Sequence, residues 1–496
     1  MSLKIFNTLT SQKEVFKPIA KNNVGMYVCG PTVYGDPHLG HARSSITFDI
    51  VYRYLIFLGY KVRYVRNITD VGHLEDEQNE IGEDKILKKA RIEQLEPMEV
   101  AQHYTNVYRD AMRSLNIVTP SIEPNASGHI PEQIQTIQRI IENGLAYLVN
   151  DSVYFDVKAY VERYHYGELS GRVLDELQAA SRNDLAGTSE KRFHADFALW
   201  KKAQPEHIMQ WGSPWGKGFP GWHIECTAMS SKYLGIPFDI HGGGMDLKFP
   251  HHEAEICQSL GAFNKKPVNY WIHNNMITLN GQKMAKSKGN FITLNDLFIG
   301  NHSLLEKAFS PMVVRFYILQ AHYGNTIDFS NSSLIAAESA LSKMEQSFKK
   351  IDSITIETKT KSHDSLQHEI STTIQSCHEA MDDDFNTAKL IATLFEISKI
   401  INRLTESSNE LTTSQQNVDK IASAIQNFWI EILGMKEEVQ ASNKLDEVME
   451  AVLELRQQAK VKKNYVYSDF IREKLKNIGI QIHDTKDEKA KYTLKD

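Results

Sequence analysis

The chain has 496 residues, of which 41% are hydrophobic and 24% charged. That is enough apolar material for several buried cores, and it excludes a disordered chain. The formal net charge of -6 excludes indiscriminate nucleic-acid binding, so an RNA partner would have to be met by local basic patches. Four irregularly spaced cysteines (Cys29, Cys226, Cys257, Cys377) form no disulfide framework, and no apolar run approaches a membrane span; a soluble, cytoplasmic protein with no membrane association is expected.

Residues 24–30 (VGMYVCG) read as a short buried strand, followed by a Pro/Gly-rich turn and a helix over 42–58. A second strand is predicted over 62–68. The chain thus opens βαβ, which implies a parallel sheet with ligands at the carboxyl ends of its strands, where Cys29 and Thr69 fall. From 121 to 221 scattered Pro and Gly and short apolar pieces predict a connective insertion. The alternation resumes with a helix over 224–234, a strand over 237–241 ending in Gly242, Gly243 and Gly244, a helix over 251–260 and a strand over 270–277. Beyond about residue 301 the strands disappear, and LIAAESALSKMEQSF, TAKLIATLFEISKIINRL and ASAIQNFWIEILG carry helical spacing. A further helix from about 445 holds the basic stretch 456–463 ahead of a mixed tail. The expected architecture is an α/β Rossmann-like domain with a parallel sheet in two halves (1–120 and 222–300) around a connective insertion (121–221). An all-helical bundle (301–440) and a small C-terminal unit (441–496) follow.

Residues 31–41 (PTVYGDPHLGH) place His38 and His41 between a strand end and a helix start, where free N–H groups and the helix dipole favour a phosphate. Residues 283–287 (KMAKS), continuing into Lys288, Gly289 and Asn290, form a compact cationic loop after a strand. Singly, each also fits solvent-facing histidines or a solvated charge run. Together, in this order, they resemble the HIGH and KMSKS signatures of the class I aminoacyl-tRNA synthetases, which bind ATP on a Rossmann-like sheet. The resemblance implies that His38 and His41 donate to phosphate oxygens as the transition state forms, while Lys283 and Lys286 neutralise the β and γ phosphates with Mg²⁺. Gly40, His241, Gly243 and Asp246 would complete the ATP site, glycine allowing close backbone approach. Ala285 stands where the family pattern has Ser; loop closure is expected to change and the chemistry to survive.

Cys226 sits in GWHIECTAMS, and His251 with Glu255 lies in PHHEAEIC, where a four-residue step puts both on one helix face. With Cys29 they make a donor set suited to Zn²⁺. The residues alone equally allow buried small cysteines and a polar helix start, and His252, His223 and His241 compete for the histidine position. The strings YVCGPTVYGDPHLGHARS, GWHIECTAMS and DIHGGGMDLKFPHHEAEI are similar to those of cysteinyl-tRNA synthetases, across residues 20 to 300. This implies one zinc per chain on Cys29, Cys226, His251 and Glu255, gripping cysteine as a thiolate that serine cannot imitate. Trp222 would wall the cysteine pocket and Thr69 would supply a polar contact. Discrimination by coordination makes an editing module unnecessary, consistent with a connective insertion.

MDDDFNTAKLIATLFEISKIINRL resembles the family's anticodon-binding bundle more loosely, and the tail from Arg456 its small C-terminal unit, with Tyr465 or Tyr467 available to stack on bases. The acidic run Met381 to Asp384 reads as a helix start. The implied activity is ATP-dependent activation of L-cysteine and its transfer to tRNA(Cys), by a monomer. Two alternatives share the resemblance: a zinc-dependent ligase joining cysteine to an amino sugar, which would lack the long helical half, and a non-catalytic RNA-binding relative, against which His38, His41 and Lys286 argue. A structural zinc protein would need no phosphate loops. The acidic residues of 71–84 are expected to form a loop over the site.

Overall fold

The computed structural model describes residues 2–72, 74–76, 81–174, 190–204, 207–284, 289–356, 364–406, 413–437, 441–483 and 491–494. These fall into two compact units, Met1–Met435 and Lys436–Asp496.

The first unit is built on four parallel strands. Strand β1 (Asn23–Val28) leads into helix α1 (Leu39–Phe57) and strand β2 (Lys61–Arg66). After the insertion come helix α2 (Trp222–Leu234), strand β3 (Phe238–Gly244), helix α3 (His251–Phe263) and strand β4 (Val268–Asn274). The strand order is β4-β3-β1-β2, with parallel register throughout. Because β1 continues to β2 on one side and β3 to β4 on the other, a crevice opens between their carboxyl ends, the usual ligand position in such sheets.

Two element boundaries differ from the sequence expectation for identifiable reasons. Helix α1 begins at Leu39 because His38 caps it: the His38 imidazole accepts the Gly40 N–H, and the His41 imidazole accepts the His38 N–H. Strand β3 runs through the glycines instead of stopping before them. A Cβ at Gly242 would sit 2.1 Å from the Phe48 ring, so glycine here lets α1 lie flat on the sheet.

Within the insertion, the described residues form a helix, Ile130–Glu142, and a five-stranded antiparallel sheet that includes Ser152–Phe155 and Phe197–Lys202. Its core holds Trp200, Phe155 and Tyr160. Short strands interrupted by glycines lack the long periodicity that would have announced this sheet. Two more helices, Lys85–Glu93 and Pro97–Ser114, precede it.

Past residue 301 the described residues of the first unit are mostly helical. Ile327–Phe329 pairs with Ile277–Leu279 to extend a small sheet just after β4. The helices Pro311–Leu319, Asn331–Lys349, Asp364–Asp382 and Thr387–Glu406 pack into the same hydrophobic core as α1. The acidic run is not a helix start. Asp382 ends one helix and the next begins only at Thr387. Asp382 accepts the Tyr54 hydroxyl at 2.8 Å, Asp383 pairs with Lys13 at 2.6 Å, and Asp384 accepts the Phe6 N–H and the Tyr323 hydroxyl. The three carboxylates tie the bundle to the N-terminal residues and to α1.

A buried ion pair joins the same parts of the unit. Arg315 and Asp49 are both fully buried at 2.5 Å, and Arg315 also donates to the carbonyls of Leu115 and Leu433. Removing one member strands the other charge away from water. Asp49→Asn is therefore expected to destabilise the fold by about 3 kcal/mol or more, read as a lowered urea midpoint; an unchanged midpoint would show that the pair contributes nothing.

The second unit contains the helices Ala441–Val461 and Tyr465–Asn477 and the hairpin Ile480–His483 with Lys491–Leu494. Tyr465 and Tyr467 are exposed, as are Lys462 and Lys463. Arg456 is buried and so does not belong to the exposed basic stretch expected from the sequence.

Candidate active site at the carboxyl edge of the sheet

The crevice is a cleft of about 530 Å³ lined by Cys29, His38, Gly40, His41, Thr69, Trp222, Cys226, Asp246 and His251, among others. Residues from β1, the turn before α1, the end of β2, α2 and α3 thus converge at one place, although they span more than two hundred positions of the chain.

At its base, four donor atoms from Cys29, Cys226, His251 and Glu255 all lie within 4.8 Å of one another. Burial alone would push the Cys29 thiol up, but the hydrogen bond with Cys226 and the charge on His251 bring it down to about 6. Burial, then Cys29, pushes the Cys226 thiol well above its ordinary value. Burial opposes charge on His251 as well, yet Cys29 and Glu255 hold the imidazole up at about 10. Against burial, His241 and His251 draw the Glu255 carboxyl down to about 2. Two thiols and a carboxylate packed together need a cation between them before both thiols can ionise.

The fit to zinc can be tested on the sulfurs. Two thiolates each about 2.3 Å from a tetrahedral zinc lie about 3.8 Å apart. The Cys29 and Cys226 sulfurs are 3.8 Å apart. A second set, Cys29, His241, His252 and Glu255, is equally compact. It offers one thiol where the first offers two: His252 brings Nε2 to 3.2 Å from the Cys29 sulfur, with its Nδ1 on His273 at 2.8 Å, and His241 pairs with the second Glu255 oxygen at 2.9 Å. His251 is braced through its Nδ1 by His223 at 2.9 Å, the kind of support that orients a ligating imidazole.

Cys29 is carried there by a backbone that admits no side chain beside it. A Cβ on Gly30 would lie 1.6 Å from the Asn67 carbonyl oxygen, and the Gly30 N–H donates to the Asn67 side chain. Trp222, at the start of α2, lays its ring 4.4 Å from that of His251. Thr69 lies just beyond β2, its hydroxyl donating to Glu225 at 2.6 Å.

At the other end of the cleft, the capping geometry fixes the tautomers of two histidines. Nδ1 of His38 and Nδ1 of His41 each accept a backbone N–H, so the neutral rings carry their protons on Nε2. Burial, then the neighbouring His38, holds His41 well below the usual imidazole range. Both are thus hydrogen-bond donors above the N-terminus of a 19-residue helix.

Several expected residues stand elsewhere. His241 and Gly243 point to the α3 side of the sheet, because alternate residues of a strand face opposite ways. His241 is fully buried and stacked on Trp271, and a Cβ on Gly243 would meet the His252 ring. Neither lines the cleft; the expectation that they form a nucleotide wall is corrected accordingly. Gly244 and Asp246 do line it. The backbone of Lys283 lies in a short strand and Met284 reaches the cleft, while Ala285, Lys286 and Lys288 fall outside the described residues, as do parts of the acidic segment 71–84. Among the cleft residues that the sequence did not single out are Asn67 and the buried Glu225.

Comparison with known proteins gives a consistent answer. Residues 15–339 match the family described as tRNA synthetases class I (C) catalytic domain, and residues 377–437 match the DALR domain. The cysteine–tRNA ligases of Bacteroides thetaiotaomicron and Bacteroides fragilis are 55% and 54% identical to the chain, with 98% of each chain covered in both cases. Among solved structures, Mycobacterium tuberculosis methionyl-tRNA synthetase in complex with methionyl-adenylate superposes with a TM-score of 0.57 at 15% identity, covering 83% of this chain and 92% of that one.

Proposed function

Since the chain belongs to the cysteine–tRNA ligases, enzymes of the class I aminoacyl-tRNA synthetase fold, we propose that the cleft activates cysteine with ATP at one zinc site and that His38 and His41 serve the phosphates. The enzyme's substrates are cysteine, ATP and tRNA. The observation that carries the zinc assignment is the 3.8 Å separation of two buried-edge sulfurs beside a His and a Glu.

Cys29, Cys226, His251 and Glu255 would hold the ion. A zinc bound there supplies a soft acceptor for the substrate's thiolate, a property that serine's hydroxyl cannot exploit at neutral pH. Trp222 forms an apolar wall next to His251 and keeps water from the bound side chain. The cysteine carboxylate attacks the α-phosphorus of ATP and pyrophosphate leaves, so the residues need only position the reactants and meet the spreading negative charge. The Nε2–H groups of His38 and His41 and the α1 N-terminus are the donors for that charge, with Gly244 and Asp246 on the nucleotide side. The roles of Lys283 and Lys286 with Mg²⁺ rest on the KMAKS signature. The helical segment matching the DALR domain and the exposed tyrosines and lysines of the second unit are the regions assigned to tRNA. The described cysteines are all free thiols, which supports a reducing, cytoplasmic setting.

The test is cysteine-dependent exchange of pyrophosphate into ATP followed by charging of a purified tRNA pool with labelled cysteine. Exchange and charging are both expected; exchange without charging would overturn the reading.

A further inference from the structure

Glu225 sits on α2 one residue before Cys226, is 2% exposed, and lines the cleft. One carboxylate oxygen, Oε1, accepts the Thr69 hydroxyl at 2.6 Å. That hydroxyl in turn accepts the Asn67 side-chain N–H at 3.0 Å, and the Asn67 oxygen lies 3.8 Å from the Cys226 sulfur. The other oxygen, Oε2, has no hydrogen-bond partner among the described residues. A buried carboxylate oxygen left unmatched is unfavourable and calls for a donor. Glu225 belongs to neither compact donor set, so a metal does not explain it.

Cysteine brings three polar groups into the cleft. The thiol goes to the donor set at the base and the carboxylate to the α-phosphorus, which leaves the ammonium group: a positive charge with three N–H donors, on the carbon next to the one bearing sulfur. It must therefore come to rest within a few ångströms of the sulfur. Among the described residues, three carboxylates line the cleft: Asp36, Asp246 and Glu225. Asp36 precedes the His38 cap and Asp246 follows β3, both on the nucleotide side. Glu225 alone adjoins a sulfur donor in the chain and is hydrogen-bonded into the series Thr69, Asn67, Cys226.

We propose that Glu225 receives the α-ammonium group of the cysteine substrate on its free Oε2, with the Thr69 hydroxyl, held by Oε1, offering its remaining lone pair to the same group. Glu225 then selects for an α-amino acid while the thiol donors select for sulfur. The inference rests on the reading that the substrate thiol is held by Cys29, Cys226, His251 and Glu255.

The experiment compares binding of L-cysteine and of 3-mercaptopropionate, which is cysteine without its ammonium group, to the full-length zinc-loaded protein by calorimetry. The wild type is expected to bind cysteine roughly 10- to 100-fold more tightly, the range of a charge-assisted hydrogen bond. In Glu225→Gln the affinity for cysteine falls by about the same factor, 3-mercaptopropionate changes by less than about threefold, and zinc content stays as in the wild type. Equal affinity of the wild type for the two ligands overturns the proposal without recourse to any variant. So does a Glu225→Gln protein that weakens both ligands alike, since that is the signature of a merely structural carboxylate. If the wild type binds both ligands undiminished after zinc is stripped, the thiol reading itself fails and this inference with it; zinc-dependent binding that ignores Glu225 sinks only the inference.

Discussion

Serine at position 226 empties the metal site: Cys226→Ser purifies with much less than one zinc per chain, and its kcat/KM for cysteine in pyrophosphate exchange falls by about 10⁴-fold or more, the scale on which heteroatom-specific sites discriminate. The Cys226 sulfur is 1% exposed and 3.8 Å from the Cys29 sulfur. A hydroxyl there stays protonated at neutral pH and ligates zinc poorly, so the remaining donors hold the ion with one thiolate fewer. Because the proposed phosphate donors, His38 and His41, stand at the other end of the cleft, the KM for ATP is expected to change by less than about threefold, as for a group that contributes no binding to that substrate. Metal analysis together with the two Michaelis constants checks this. Wild-type zinc content in the variant would remove Cys226 from the donor set.

The second large effect belongs to His41. Asparagine can keep an acceptor for the His38 N–H, and with it the cap on α1, while removing the Nε2 donor. His41→Asn should then lower kcat for exchange by about 10²- to 10³-fold, as does loss of one donor to a developing anion, with little change in either KM. A loss in KM(ATP) alone would assign His41 to ground-state binding. The same residue carries a pH signature. In the folded protein it is held well below the usual imidazole range, by burial first and then by His38. As pH falls through 6.5 the unfolded chain takes up a proton that the folded chain does not, so stability is lost toward acid. Thermal melts between about pH 7.5 and 5.5 should show a smaller acid-induced drop in Tm for His41→Asn than for the wild type.

The parallel-sheet domain was legible because short strand-like pieces alternate with helical spacing, beginning with the apolar run of β1, and Cys29 and Thr69 fall at strand ends, where ligands of such sheets lie. The ends of elements were less legible. The start of α1 is set by two histidine side chains acting as caps, and the length of β3 by a steric need at Gly242 that only the position of Phe48 reveals. His241 illustrates a different limit: a glycine-rich strand end resembled a nucleotide wall, but strand alternation turned His241 and Gly243 to the opposite face. Glu225 went unnoticed because a single carboxylate in a helix is ordinarily a surface residue, and nothing local signals that α2 buries it. The insertion's antiparallel sheet was hidden by strands of three to six residues.

The buried contacts of Arg315 bear on how the chain comes apart. Its guanidinium holds the carbonyl of Leu433, near the end of the first unit, while pairing with Asp49 on helix α1, which His38 caps. Opening the distal helices would take the Leu433 carbonyl from the Arg315 guanidinium, which would then keep only part of its buried hydrogen bonding beside Asp49. Partial melting is thereby disfavoured. The end of the first unit is thus coupled to the helix that carries Asp49, and native-state hydrogen exchange is expected to show the two opening together.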